Sequence, residues 1–344
     1  MELLRIVAML MIVVYHTFYY RLQYYQNSEP IFASLTVILH IGVILFVLIS
    51  GYFGIKPSVK GFLRLYSVVV FYDLVLYSLS IGFGEKMFSW EEALKCTLPM
   101  SKHRGYYWFI REYMILYLCT PLINHVRMAY KTIGDRNSLI IIGLLGFLTF
   151  WYGWFWKNSG FEDGKNIINF VFLYLLGGYY KVFLPKHLPC ENRMKWYYAI
   201  GYVVIMLFVG ILLYWSVAND HSKMYRWIFR CSYPYNSPIL ILMSSLFFMF
   251  FTTLHFESKW INWVASSTLA VYLLHENKYA PRQLWYDFVE NLYVTKICDG
   301  YWWIVFLGCC MGLFVGCILI DKVRMALFSI FHHALNFLTR FCRH

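Results

Sequence analysis

Charge is what this sequence has least of. Only 14% of its 344 residues are charged and just 18 are Asp or Glu, too few to cover the surface of a soluble domain of that length. Proline is sparse at nine residues, and no linker rich in Pro, Gly or Ser, no low-complexity tract and no internal repeat divides the chain. That argues against separate folded units and against the repeated halves common in transporters. Nine cysteines are scattered without a C-x-x-C pair or a Cys/His cluster at metal-ligand spacing, so no metal is expected. Cys309, Cys310 and Cys317 read as span filler, while Cys96, Cys231 and Cys298 fall in loops assigned to the outside, which leaves a disulfide among them open.

What is there is apolar. Hydrophobic residues make up 60% and aromatics 21%, with a mean hydropathy of +0.54. Runs of spanning length lie at about 2–20, 33–54, 64–84, 106–126, 138–156, 167–183, 197–217, 236–255, 261–276 and 302–321. The expectation is an all-α, polytopic membrane bundle of about ten helices. The ninth run is short and interrupted by Ser266, Ser267 and Thr268. An even number of crossings puts both ends on one side, and Lys and Arg are denser in the loops on that side, so both termini are expected inside. Positive-inside topology and anionic lipid then account for the net charge of +12 without nucleic acid. The opening helix lacks a clear charged n-region and an A-x-A-like site and is expected to stay. Residues 1–321 form one transmembrane domain, and 322–344 alternate basic and apolar residues as a cytoplasmic amphipathic tail on the membrane surface.

Ionisable groups inside an apolar run are costly and mark candidate sites. In the first run these are Arg5 and His16, eleven residues apart. At 100° per residue they leave the helix on one face, about 16 Å apart along its axis. In the second run, Ser50 and Gly51 break the apolar sequence; they suit close helix packing, with a catalytic Ser50 as the alternative. The loop after it offers Lys56, Lys60 and Arg64, either a topology signal or a seat for phosphate. The fourth run opens with Trp108, Arg111 and Glu112, where Glu112 can orient an imidazole or simply pair with an arginine; Asp73 is a further partner for Arg111. His275 and Glu276 end the ninth run at the outer surface. Arg5, Lys60 and Arg64 thus gather at the inner face and His16, Arg111, Glu112 and His275 toward the outer side. Such a division suits a reaction between a soluble anionic donor and an acceptor across the membrane, and equally a transporter or flippase for a lipid-linked sugar or acyl metabolite.

Five blocks in order, ELLRIVAMLMIVVYH, ILFVLISGYF, YYWFIREYMILYLCTPLIN, FVFLYLLGGYY and STLAVYLLHEN, resemble the acyltransferase 3 family of integral membrane O-acyltransferases, in particular the bacterial type that acetylates surface polysaccharide. Arg5, ten residues and His16 match the family's signature in its first helix. The resemblance implies transfer of an acyl group, usually acetyl from acetyl-CoA, to a hydroxyl of a polysaccharide or its lipid-linked precursor, in the cytoplasmic membrane. It implies Arg5 toward the donor, His16 as general base and Glu112 as a catalytic acid residue nearby. Lys60 and Arg64 then join Arg5 in binding acyl-CoA, although Gly61 stands where the family often has the first of two arginines. Arg111, Trp108, Ser50 and His275 are the candidates for holding the acceptor.

Overall fold

Apolar residues without charge for about 20 positions can bury their backbone polarity in lipid only by forming helices, and helices are what the chain forms. The computed structural model describes residues 1–21, 30–99, 107–156, 163–187, 191–255, 257–296 and 300–341. The long elements are α1 (Glu2–Arg21), α2 (Ile31–Leu39) and α3 (Gly42–Phe53), α4 (Val59–Gly82), the short α5 (Trp90–Cys96) and α6 (Trp108–Phe147). A π-helical segment, Leu148–Phe155, continues α6. There follow α7 (Ile167–His187), α8 (Glu191–Ala218), α9 (Ser222–Ser232), α10 (Pro238–Thr252), α11 (Lys259–Ala265), α12 (Thr268–His275), α13 (Arg282–Lys296) and α14 (Trp302–Phe341).

Among the described residues seven helical stretches are long and apolar enough to cross a membrane, one of them spanning 108–155. That one is two crossings: Gly134 sits inside it at φ 80 and ψ 174, a conformation open to glycine and not to a helix. The fifteen-residue α10 and the broken pair α11–α12 complete the ten runs expected. The protein is an all-α polytopic membrane protein.

Two interruptions shape the interior. The second run is not one helix: it breaks at His40 and Ile41, between α2 and α3. The ninth breaks at Ser266 and Ser267 as its serines suggest, leaving two helices of about two turns each. Within α6, Pro121 cannot donate to the Tyr117 carbonyl, and the Thr120 hydroxyl donates to that oxygen instead. Glycine does its work where α3 meets α7: a Cβ on Gly51 would lie 1.9 Å from the Tyr174 carbonyl oxygen, and one on Gly177 would lie 2.4 Å from that of Leu48. Close packing is therefore the role of Gly51, one of the two readings of that motif. Arg127 caps the end of α3, its Nε donating to Gly51 O at 2.8 Å and its Nη2 to Tyr52 O at 3.0 Å.

The N-terminal residues and the Asp321 turn of α14 lie at one end of the bundle. Met1 and Glu2 share a cavity with Ile261 and Asn262 of α11, and Lys322 Nζ donates to Trp263 O of the same helix at 2.6 Å. Past 321, α14 runs on as the same helix to Phe341. Cys96 and Cys231 are free thiols; Cys298 lies outside the described residues.

Candidate functional site

The site grows from one stripe of α1. Arg5, Met9 and Ile12 line a cavity of ≈ 290 Å³, and one turn beyond, His16 lines a second cavity of ≈ 460 Å³. The shared face read from an eleven-residue spacing is therefore present. The α12 helix lies beside this stripe and runs the same way, with Thr268 and Tyr272 on the Arg5 cavity and His275 on the His16 cavity. Arg5 and His16 thus line two different chambers. Ile12 and Tyr272, both buried, stand at the boundary, one helical turn from His16 and His275 respectively.

At His16 three groups converge. Its Nδ1 is 3.0 Å from His275 Nε2 and 3.1 Å from Glu276 Oε1. The protonation pattern follows from the partners. His275 Nδ1 lies 2.6 Å from the Val271 carbonyl oxygen, which can only accept, so that nitrogen carries the proton and His275 Nε2 is an acceptor. Both groups facing His16 Nδ1 are thus acceptors, and His16 Nδ1 is the donor. The lone pair of the neutral ring is then on His16 Nε2.

The same three ligand atoms, all within 4.8 Å of one another, form a set that a metal ion can use. Tetrahedral zinc with nitrogen ligands at about 2.0–2.1 Å separates those ligands by roughly 3.3 Å. The observed 3.0 and 3.1 Å are a hydrogen-bond contact between His16 and His275 and an ion-pair contact between His16 and Glu276.

A strap of residues holds these groups in place. After His275 the backbone leaves α12, and Asn277 Nδ2 donates to Asp73 Oδ1 and to Tyr107 OH, each at 2.8 Å. Asp73 is completely buried. Next, Lys278 Nζ and Tyr279 OH donate to Glu92 Oε2 of α5 at 2.5 and 2.6 Å. Those two hydrogen bonds, Lys278 first, hold the Glu92 carboxyl down at about 2. Arg282 then places Nη1 3.8 Å from Glu276 Oε2. On the far side, Trp285 Nε1 donates to Thr17 Oγ1 at 3.1 Å, fixing α13 to α1 next to His16.

The Arg5 end has a different chemistry. Arg5 Nη1 pairs with Glu2 Oε1 at 2.9 Å, both groups partly exposed. Ser50 lines its cavity, donating to Phe46 O at 2.8 Å and sitting 3.1 Å from the Tyr113 hydroxyl. A larger polar cavity of ≈ 690 Å³, lined by Glu2, His255 and Glu257, lies at the same end. Lys60 and Arg64 project into solvent from the first two turns of α4. They are near this end but line neither chamber. Gly61, where an arginine was expected, has a structural reason: a Cβ there would stand 2.3 Å from Tyr117 OH, which accepts from Ser58 N.

The structure brings His16 and His275 together, and Arg5 and Ser50 together. It does not seat Glu112 as the carboxylate beside His16. Glu112 is paired with its neighbour Arg111, whose Nε donates at 2.9 Å, and Glu276 takes that place. Trp108 lies against Tyr235 at 5.1 Å, with Lys165 Nζ 5.4 Å from its ring centre. Tyr235 and Tyr233 sandwich His40 at 4.1 and 4.2 Å, a histidine that the cost of an ionisable group in an apolar run could have flagged. Glu276 also had a visible signal: a His-Glu-Asn sequence ends a span too short to cross alone.

A helical bundle crossing the membrane many times, with a histidine chain in one chamber and an arginine in another, defines an integral membrane protein with a buried site. The family model described as an acyltransferase domain matches residues 1–321, and the chain belongs to that acyltransferase 3 family. No curated protein and no solved structure matches it. By family it is a multi-pass membrane acyltransferase.

Proposed function

We propose that this protein transfers an acyl group, acetyl foremost, from acyl-CoA to a hydroxyl of a polysaccharide or its lipid-linked precursor at the cytoplasmic membrane. The observation that carries this reading is the chain from Val271 O through His275 to His16, which leaves a lone pair on His16 Nε2. A hydroxyl attacks a thioester well only while losing its proton, and imidazole accepts one near neutral pH. In the reaction His16 Nε2 takes the hydroxyl proton as oxygen bonds to the thioester carbon. The tetrahedral intermediate collapses, the C–S bond breaks, and the proton passes to the departing thiolate. Glu276, 3.1 Å from His16 Nδ1, offsets the positive charge on the ring between those steps.

The donor's phosphates suit the cationic end. Arg5 stands at the chamber mouth, Lys60 and Arg64 offer unscreened charge to a soluble anion, and the 690 Å³ cavity gives room beside them. Pantetheine entering the Arg5 chamber meets Ile12 and Tyr272 before His16, so the thioester is delivered where the two chambers come within one turn.

The test uses purified protein in proteoliposomes, following acyl-CoA consumption and product by mass spectrometry. His16→Gln is expected to lose about 10²–10⁴ in kcat, the usual range for a general base. Full transfer by that variant would remove the assignment. A transporter would instead move labelled acceptor across the bilayer without consuming acyl-CoA.

A further inference from the structure

The His16 chamber is apolar in a way that a sugar alone does not call for. Apart from the two histidines, Thr17 and Arg282, its walls are aliphatic and aromatic: Leu76 of α4, Leu274 of α12, and Leu313, Cys317 and Ile320 of α14. Glycan hydroxyls placed there would lose their water with almost nothing in return.

The chamber also has a side door. The α4 and α14 helices touch where Tyr72 OH donates to Asp321 Oδ1 at 2.7 Å and where Phe71 meets Phe328. Going from Tyr72 to Leu76 on one helix and from Asp321 to Leu313 on the other, the chamber occupies the space between them. At its rim Leu284 is 67% exposed, Ile320 54% and Phe288 49%. Ile320 lies on a helix apolar enough to cross a membrane, where an exposed aliphatic side chain meets lipid; Leu284 and Phe288 lie beside it on α13. Above the opening lies α13, with Arg282 on the chamber wall. Its guanidinium keeps only a 3.8 Å charge contact with Glu276, which leaves N–H donors for a phosphate oxygen. At ≈ 460 Å³ the space falls in the ~300–1,000 Å³ range of ligand sites.

We propose that this lateral chamber seats the hydrocarbon chain of the acceptor, a phosphate-bearing lipid that sets its phosphate against Arg282 and its reacting hydroxyl against His16. The inference rests on the acyltransferase reading above and narrows its acceptor to a lipid-linked one. Its occupant enters from the bilayer between α4 and α14, and the water-soluble donor comes from the Arg5 end.

Two measurements test it separately from that reading. First, a photoactivatable polyprenyl phosphate is cross-linked to wild type and to His16→Gln in nanodiscs, with excess phosphatidylglycerol as competitor. Cross-links on α4, α13 and α14 in both proteins, resisting the competitor, are expected; cross-links elsewhere, or ones that phosphatidylglycerol displaces, overturn the proposal. Second, acyl transfer is compared on a polyprenyl-phosphate-linked sugar and on its methyl glycoside. The lipid-linked form is expected to have kcat/KM at least about tenfold higher, and Leu313→Trp and Arg282→Gln to raise its KM about fivefold or more while the KM for acyl-CoA stays. Equal use of the two acceptors overturns it, and so does a change in donor acyl-length preference in Leu313→Trp without a change in acceptor KM. Absence of transfer to any acceptor, with the cross-links intact, counts against the enzymatic reading and leaves the lipid chamber standing.

Discussion

His16 owes its form to groups that can only accept. The backbone oxygen of Val271 fixes the proton of His275, and His275 together with Glu276 fixes that of His16. Glu276→Gln keeps the shape but removes the negative charge that balances a protonated ring. It is expected to lower kcat by about 10–100-fold with the donor KM unchanged, a split that steady-state kinetics reads directly. Because the proposed transfer runs through the His16 lone pair and calls on no metal, dialysis against EDTA is expected to leave acyl transfer as it was. A loss that added Zn²⁺ restores would make the cluster a metal centre. At this scale the sequence carried much of the answer. Two ionisable residues in one apolar run stand out by their cost, and their spacing alone puts them on one face. What it left out was the identity of the carboxylate. Glu112 and Glu276 both stand at the outer end of an apolar run, and only the fold decides which one meets His16.

The helices show where a local signal suffices and where it does not. Ser266, Ser267 and Thr268 announce the break in the ninth run, and Gly51 announces a close approach. The break at His40 has a weaker signal, an ionisable residue and Gly42 within an otherwise apolar run, and its imidazole packs between Tyr233 and Tyr235. The α3–α7 contact gives a direct test. A methyl on Gly51 would meet backbone rather than a movable side chain, so Gly51→Ala is expected to destabilise the protein by about 1–3 kcal/mol, the usual cost of overpacking. Thermal unfolding in detergent followed by tryptophan fluorescence checks it, and Gly143→Ala, which faces open space, is the control. The strap onto α5 gives a second. Glu92 is held at about 2 against an ordinary 4.5; a carboxyl whose folded value is depressed stabilises above its unfolded value and stops doing so as pH falls toward the folded one. Docking of α5 is therefore expected to hold from neutral pH to about 4.5 and to weaken between about 4.5 and 2. Pepsin cleavage within residues 85–98, measured across that window, should rise in wild type and change less in Glu92→Gln.

For the whole molecule, hydropathy was enough to place the apolar helices found among the described residues, since a run of about 20 apolar residues in lipid satisfies its backbone as a helix. The relation between crossings was not legible. That α1 and α12 run side by side in the same direction, so that Arg5 matches Thr268 and His16 matches His275, depends on contacts between residues more than 250 positions apart. The exposed apolar rim between α4 and α14 is invisible for the same reason: residues facing lipid and residues facing a chamber have the same composition.

Ile12 and Tyr272, both buried and each about one turn from a histidine of the second chamber, form on this reading a thin apolar barrier between donor and acceptor. Thinning it should open a pore. In proteoliposomes carrying a pH gradient, Ile12→Gly is expected to dissipate the gradient faster than the parent protein does, so that the cost of a shorter reach is a leak of protons.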